Sequence, residues 1–314
     1  MNESTRVARS LLGTLIEQGV REVVVAPGSR NAPLTFAAYD AAAAGAVRLH
    51  TRLDERSAGF LALGLSKVGS TAAVVTTSGT AVANLHPAVL EAAHAGIRMY
   101  VVTADRPARL RGTGANQTTD QVGIFGPLVP THDLATPDWP TTSSAGPVHL
   151  NVQLDEPLVP DDRWDSPPRT APPEERKGVL HEADYPGTAL PPGPRTVVVA
   201  GDDAGPRARV LAEQAGWPLF AEPSSGARNG PNALRCYRLL LDGELGRRIE
   251  RVVVFGHPTL SRPVSRLLAR DDVEVLATPA RGVWAERPFP ATTVEHPVVD
   301  GDGPAETTWL DAWL

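Results

Sequence analysis

The feature that most constrains the fold is a strand–turn–helix pattern that recurs three times within the first 110 residues. Residues 23–33 read VVVAPGSRNAP, in which β-branched residues precede a Pro-Gly break and the start of a helix. Residues 72–76 and 98–103 are two further apolar strands that lead into polar turns. Strands alternating with helices favour a parallel sheet, so the three turns are expected at one edge of it.

The first of these turns has the chemistry of an anion site. Gly28 allows the backbone to approach a ligand closely, and the free amides of a helix start favour negative charge. The Arg30 guanidinium can fork onto a carboxylate or phosphate. An ordinary turn with a solvated arginine fits the same residues, so this stretch alone leaves both interpretations open. The recurrence of the turn at Ser78 and Asp105 favours the functional one.

The remainder of the chain predicts a second α/β unit. Its expected strands are residues 195–200, 219–221, 251–255 and 273–277, and its expected helices are residues 207–216, 232–241 and 264–270. Prolines crowd the sequence between the two units, which indicates an extended linker. We therefore expect two α/β domains with parallel sheets flanked by helices. Their bounds are residues 1–160 and 195–314, joined by a Pro-rich linker at residues 161–194.

Composition limits the classes of partner. The net charge of −6 disfavours a nucleic-acid partner held by bulk electrostatics. The N-terminus shows no signal peptide and no apolar run reaches membrane-spanning length, so a cytoplasmic protein without membrane insertion is expected. The single cysteine, Cys236, excludes an intramolecular disulfide and is expected to be a buried, apolar residue.

Several motifs point to no site. Residues 201–205, GDDAG, lack the glycine spacing of a dinucleotide fingerprint, and residues 301–303, GDG, indicate a tail loop. The eight histidines show no spacing typical of metal ligands, so no metal site is predicted. Ser78 has no evident histidine partner and no Gly-x-Ser-x-Gly elbow is present, which disfavours a serine hydrolase.

Two further stretches carry candidate residues, each with an alternative. Residues 111–126, RGTGANQTTDQVGIFG, contain amides at Asn116 and Gln117 and fit either a binding loop or a solvated surface loop. Glu55 opens an apolar helix, where its charge could simply favour the helix dipole.

Five motifs together resemble one enzyme family. They are APGSRNAPL at residues 26–34, RLDERSAGFLALGL at 52–65, TTSGTAVANLHPAVLEA at 76–92, TADRP at 103–107 and GTGANQ at 112–117. In this order they resemble 2-succinyl-5-enolpyruvyl-6-hydroxy-3-cyclohexene-1-carboxylate synthase of menaquinone biosynthesis, a thiamine-diphosphate enzyme. The likeness continues in GPVHLNVQLDEPL and, more weakly, in GHPTLSRPV at residues 256–264. It implies a pyrimidine-binding domain followed by a central Rossmann-like domain.

The resemblance also implies a reaction, a transferase step that joins decarboxylated 2-oxoglutarate to isochorismate through the thiamine-diphosphate ylid. It assigns Glu55 to the family's catalytic glutamate, which bonds the aminopyrimidine. A carboxyl group there favours the imino tautomer that removes the thiazolium proton. Pro27, Ser78 and Gly79 match the turns that line the pyrimidine.

By the same resemblance, isochorismate is held by five residues: Ser29, Arg30, Arg106, Asn116 and Gln117. Two arginines suit a dicarboxylate acceptor, because each can fork onto one carboxylate. In the family the cofactor lies between subunits, which implies a homodimer or homotetramer.

Two departures from the family affect the expectation for activity. The family's third domain, which binds Mg²⁺ and the diphosphate, is expected to be absent, and prolines at residues 133–145 disfavour a helix that the family has there. The chain alone is therefore expected to be inactive. One alternative is a noncatalytic or split relative that pairs with a partner. The other is a regulatory module in which Arg262 and Arg281 capture an anionic metabolite, unless both arginines are simply solvated.

Overall fold

The computed structural model of the chain describes residues 1–138, 145–165, 187–283, 286–300 and 308–314. They form two compact units, Met1–Lys177 and Gly178–Leu314. Each unit contains a parallel sheet flanked by helices, which confirms the predicted fold class. Within these described ranges, every helix falls short of the length and apolar character needed to cross a bilayer.

The first unit is built on a six-stranded parallel sheet. Its elements are α1 (Glu3–Glu17), β1 (Val20–Val25), α2 (Ala32–Ala43), β2 (Arg48–Thr51), α3 (Glu55–Lys67), β3 (Thr71–Thr76), α4 (Thr80–Ala83), α5 (His86–His94), β4 (Met99–Asp105), a 3₁₀ turn (Ala108–Leu110), β5 (Thr131–Leu134) and β6 (Val148–Gln153). The strand order is β2-β1-β3-β4-β6-β5. Because all pairs are parallel, the segments after the strands emerge at one edge.

Alternating side chains of the central strands build two cores in this unit. Val23 and Val25 pack with α1 and α2 on one face, whereas Val24 packs with α3 and α5 on the other. This burial on both faces explains the uninterrupted apolar runs of the central strands. Two helices begin at side-chain caps, where Asn2 accepts from the Thr5 amide and Asp54 from the Ser57 amide.

Two predictions for the first unit need correction. The strand–turn–helix pattern at Ser78 predicts one helix over residues 81–95, but the structure has two helices, α4 and α5, separated by Asn84 and Leu85. Strand β5 was not predicted, because its THDL sequence is short and polar, as suits a sheet edge. The resemblance places a helix between β5 and β6 in the family, and this chain is expected to lack it. Residues 135–138 and 145–147 are not helical, and residues 139–144 lie outside the described part.

The second unit has a five-stranded and a two-stranded parallel sheet. Its elements are β7 (Thr188–Leu190), β8 (Thr196–Ala200), α6 (Pro206–Ala215), β9 (Leu219–Ala221), α7 (Tyr237–Leu240), α8 (Glu244–Arg247), β10 (Arg251–Phe255), α9 (Arg262–Leu268), β11 (Glu274–Ala277), β12 (Thr292–Thr293), β13 (Pro297–Val299) and α10 (Thr308–Asp311). The larger sheet has the order β12-β11-β10-β8-β9, and the smaller pairs β13 with β7.

In the second unit the helix predicted over residues 232–241 is wrong for most of its length, since only α7 is helical. Residues 232–234 pair instead with β9: the Leu219 amide donates to the Asn232 carbonyl, and the Leu234 amide donates to the Leu219 carbonyl. The buried Asn232 side chain reinforces this by donating to the Ala212 carbonyl in the last turn of α6 and to the Trp217 carbonyl just before β9. Cys236, just before α7, is exposed rather than buried.

The predicted linker and tail loop are only partly covered. Residues 188–190 of the predicted linker form β7, and Trp164 packs against the core of the first unit. Residues 166–186, and with them most of the linker, lie outside the described part, as does the GDG sequence at residues 301–303. The predicted domain bounds therefore stay predictions.

Candidate functional site

The segments that follow β1, β2, β3 and β4 of the first unit lie at the carboxyl edge of its sheet. β1 and β3 are adjacent, and the turns after them are in close contact. A Cβ at Gly28 would lie only 2.4 Å from the Thr77 Cβ. Glycine is therefore required at residue 28 because of this close approach.

Glu55 lies at this edge, at the first position of α3. Its Oε2 accepts a hydrogen bond of 3.0 Å from Asn84 Nδ2, which ties the β2–α3 turn to the segment between α4 and α5. The Glu55 side chain is half-buried, so part of its carboxylate faces solvent. Asn84 was not predicted as a site residue, although it lies within the TTSGTAVANLHP stretch that carries the family likeness.

The loop at residues 111–126 is docked on the turn after β3. Ser78 Oγ donates to the Gln117 carbonyl at 2.8 Å, and Gln117 Nε2 donates back to the Ser78 carbonyl at 3.0 Å. Gln117 adopts a left-handed conformation (φ 55°), and a Cβ at Gly79 (φ 78°) would lie 2.9 Å from its Cγ. These contacts fix the position of the loop against the turn, with Ser78, Gly79 and Gln117 in contact with one another.

The predicted acceptor-binding residues divide into two groups. Arg106 donates through Nε and Nη2 to the Asn116 carbonyl, which brings Arg106, Asn116 and Gln117 together. Arg30 is buried and donates through Nη1 to the Leu154 carbonyl at 3.0 Å. Its Nε has no hydrogen-bond partner among the described residues. Ser29 is exposed, as is Pro27.

Next to these residues lies a polar network that was not predicted from the sequence; it is buried at Asn151 and Asp105 and exposed at Asp133. Asn151 donates to Asp105 and to Asp133, both at 2.9 Å. Arg111 binds the two oxygens of Asp133 at 2.8 Å each. Polar residues at alternate positions of the otherwise apolar β6, such as Asn151, were the signal that could have revealed it.

The network also shifts the pKa values of its carboxylates in opposite directions. Burial raises the pKa of Asp105, and the bonds from Asn151 and the Arg106 amide only partly offset that effect. Burial also acts on Asp133, but the bonds from Arg111 and Asn151 outweigh it and lower the pKa of Asp133. Arg111 thus stabilises the negative charge of Asp133 more than that of Asp105.

The second unit contains a separate cleft of about 740 Å³ at the carboxyl ends of β8, β10 and β11. Arg281 lines it and forms an ion pair with Asp203 on the opposite wall. His257 Nε2 lies 2.8 Å from the Arg281 carbonyl. Arg262, the other predicted regulatory residue, is the first residue of α9 and is not among the lining residues.

The residues that the structure describes in both units were searched by side-chain type for a place where a metal ion could bind only through His, Cys, Asp and Glu, the usual ligands. No group of three or more His, Cys, Asp or Glu side chains in those residues is placed to hold a metal ion.

Comparison with known proteins identifies the class of protein to which the first unit belongs. Residues 5–124 match the family described as the thiamine pyrophosphate enzyme N-terminal TPP binding domain. The match spans β1 to β4 and most of the docked loop, including Glu55, Ser78 and Gln117. The first unit therefore carries the N-terminal domain of thiamine pyrophosphate enzymes.

Similarity to full-length relatives defines the family more narrowly. A protein from Nocardioides sp. named 2-succinyl-5-enolpyruvyl-6-hydroxy-3-cyclohexene-1-carboxylate synthase is 69% identical over 99% of this chain. Proteins of the same name from Kineococcus radiotolerans and Leifsonia xyli are 49% and 45% identical over 98% and 100% of it. The chain belongs to this synthase family. It spans 58%, 61% and 58% of the length of these three relatives.

Proposed function

We propose that this chain supplies the aminopyrimidine side of a thiamine-diphosphate site in a menaquinone-biosynthesis synthase, which joins decarboxylated 2-oxoglutarate to isochorismate. The observation that carries the proposal is Glu55 at the start of α3, bonded to Asn84 beside the docked turn of Ser78 and Gly79. Similarity to relatives named for this synthase supports the choice of reaction.

The residues at the sheet edge fit the pyrimidine part of the cofactor. The half-exposed Glu55 carboxylate can exchange a hydrogen bond with a ring nitrogen, and Pro27, Ser78 and Gly79 supply a wall of turns beside it. When bound, thiamine diphosphate supplies an electron sink for the decarboxylation of a 2-oxo acid. The task of Glu55 is to hold a proton at its carboxyl oxygen and thereby set the tautomer of the pyrimidine.

Asn84 has an orienting part in this proposal. Its amide holds Glu55 Oε2, which leaves the second carboxyl oxygen for the ring nitrogen. The Asn84 contact therefore favours one rotamer of the Glu55 side chain.

Arg30 and Arg106 are proposed to bind the carboxylates of the acceptor, together with Ser29, Asn116 and Gln117. Both guanidinium groups are anchored by carbonyl oxygens rather than carboxylates, at Leu154 and at Asn116 respectively. A carbonyl anchor orients an arginine without neutralising its charge, so the positive charge stays available for an anion.

The remaining parts of the proposal concern the metal and the assembly. Mg²⁺ and the diphosphate are expected to be bound by the portion of the synthase that this chain does not span. The exposed apolar side chains of Leu53 and Phe60, which flank Glu55 in sequence, support a homodimer or homotetramer in which a partner covers them. A cytoplasmic location is part of the same proposal. By itself the 314-residue chain is expected to show no turnover.

A chimera tests the reaction directly. This chain would replace the matching segment of the 69% identical Nocardioides synthase, and turnover would be measured with isochorismate, 2-oxoglutarate, thiamine diphosphate and Mg²⁺. We expect turnover comparable to that of the parent, and Arg30→Ala and Arg106→Ala variants with a raised KM for isochorismate. A folded chimera without turnover would contradict the proposal. Glu17→Gln, on the exposed face of α1, is the matched control.

The cleft of the second unit is the site of a second candidate function, the binding of an anionic metabolite by a noncatalytic or regulatory relative, in which the Arg281 guanidinium would exchange the Asp203 carboxylate for the ligand anion. Arg281 lines that cleft, whereas Arg262 does not. Calorimetric titration with a naphthoate should therefore give saturable binding that Arg281→Ala abolishes and Arg262→Ala leaves unchanged. Absence of binding to the unsubstituted chain would eliminate this candidate.

A further inference from the structure

We propose that Gln121 is a positioning residue, which sets the place of both the Ser78–Gly79 turn and the loop carrying Asn116 and Gln117. The inference rests on the proposed function, because these are the segments assigned there to the cofactor and the acceptor. Gln121 itself is 1% exposed and is not assigned a contact with either ligand.

The geometry around Gln121 supports this role. Its Oε1 accepts from the Gly79 amide at 2.8 Å, and its Nε2 donates to the Ala104 carbonyl at 3.2 Å and to Asn151 Oδ1 at 2.9 Å. One side chain thus connects the turn after β3 with the ends of β4 and β6. Because the bonded Gly79 amide opens α4, Gln121 also fixes the start of that helix.

Asn151 makes the connection rigid. Its Oδ1 accepts from Gln121 and from Thr103 Oγ1, and its Nδ2 donates to Asp105 and Asp133. All four hydrogen-bonding positions of the amide are therefore occupied, which permits only one orientation of Asn151 and, through it, of Gln121.

The far end of the loop is anchored to the same network. Arg111 binds Asp133 through two bonds of 2.8 Å, and its Nε lies 3.0 Å from Asp105 Oδ2. The loop is thus fixed by Arg111 before, and by Gln121 after, its exposed stretch at residues 112–120. Asn116 and Gln117 lie between these two anchors, so we expect Arg111 and Gln121 to set their positions.

Neither of the two side chains closest in size to glutamine can make the three hydrogen bonds of Gln121. Glutamate would keep the acceptor for the Gly79 amide but would place a second carboxyl oxygen against two acceptors, Ala104 O and Asn151 Oδ1. Methionine would fill the space but would leave the Gly79 amide unpaired. Both substitutions should therefore release the turn while preserving most of the packing volume.

The first test uses the 314-residue chain and no ligand. Residue-resolved hydrogen exchange would be measured for Gln121→Met, Gln121→Glu and the control Thr119→Ala, an exposed residue of the same loop. In Gln121→Met, loss of one hydrogen bond should accelerate exchange of the Gly79 amide about tenfold and leave the Val24 amide of β1 unchanged. Equal acceleration at both amides would indicate a merely structural role, and no change at Gly79 would overturn the proposal.

The second test uses the chimeric synthase. A loosened loop should raise the KM for isochorismate about tenfold in Gln121→Glu while kcat falls much less, because Glu55 keeps its place. The same change in kcat and KM for Gln121→Glu and Thr119→Ala would contradict the inference. If the unsubstituted chimera is inactive, the proposed function fails, whereas the exchange experiment still decides the positioning role.

Discussion

Gly28→Ala tests whether the turns after β1 and β3 meet as closely as the structure indicates. The added Cβ would lie 2.4 Å from Thr77 Cβ, 2.7 Å from its Cγ2 and 2.8 Å from its Oγ1. Real Cβ contacts do not occur at such distances, so one turn must move. Overpacking of this kind destabilises by about 1–3 kcal/mol. We expect a loss of that size in the free energy of unfolding of the first unit, and a displaced Ser78–Gly79 turn.

The assay is urea unfolding, with hydrogen exchange of β1 and β3 amides to assign the loss to the first unit. Thr77→Gly removes all three clashing atoms, so the double variant Gly28→Ala/Thr77→Gly should be more stable than the sum of the single changes by about 1 kcal/mol or more. Gly64→Ala is the matched control, since no atom beyond the neighbouring backbone of α3 lies within 4 Å of its added Cβ. Helix propensity should make that variant more stable by about 0.5–1 kcal/mol. An unchanged Gly28→Ala, or a double variant without relief, would refute the close approach.

Three further predictions concern polar side chains of the two units. Burial lowers the pKa of His149 to about 4 from its ordinary 6.5, so between these pH values only the unfolded chain takes up the proton. The free energy of unfolding should therefore fall by about 3 kcal/mol in total as the pH is lowered from 6.5 to about 4. An NMR titration of the folded chain in which the His149 ring titrates near 6.5 would contradict this. Arg111→Lys keeps the charge but loses the two-bond contact with Asp133, so amide hydrogen exchange at residues 112–120 should accelerate. The acceleration should exceed that in the control Lys67→Arg, a conservative substitution at the end of α3. Asn232→Leu removes the bonds to the Ala212 and Trp217 carbonyls and leaves the Trp217 carbonyl without a donor, since Ala212 still accepts from the Trp217 amide. The second unit should lose about 1–3 kcal/mol in urea unfolding, whereas an effect within about 0.5 kcal/mol would show that those bonds contribute little.

The sequence allowed the architecture to be predicted because its apolar runs are buried on both faces of the sheets. In β1, Val23 and Val24 pack into different cores, so the strand reads as continuously apolar and is easily recognised. The turns at Gly28 and Ser78 could be placed at one edge because parallel strands leave no other arrangement. Short or polar elements such as β5 carry no such pattern, and their pairing depends on neighbours distant in sequence.

The site could be predicted less fully than the fold. The position of Glu55 at a helix start followed from local pattern, but its bond with Asn84 joins residues 29 positions apart. The polar network around Asn151 links residues from three strands and a loop, and no local pattern determines which donor meets which acceptor. The error at Asn232 has the same origin, since a helical-looking segment is held extended by its pairing with β9.

The measurement that tests the central claim most directly is the exchange rate of the thiazolium C2 proton of thiamine diphosphate bound to the chimeric synthase. The rate would be followed by quenched-flow deuterium exchange and NMR, with Glu55→Gln compared against the control Glu17→Gln. General acid–base catalysis contributes about 10²–10⁴-fold, so the account predicts that Glu55→Gln slows exchange at least about a hundredfold. Equal exchange rates in the two variants, both with cofactor bound, would contradict the assignment of Glu55 as the residue that activates the cofactor.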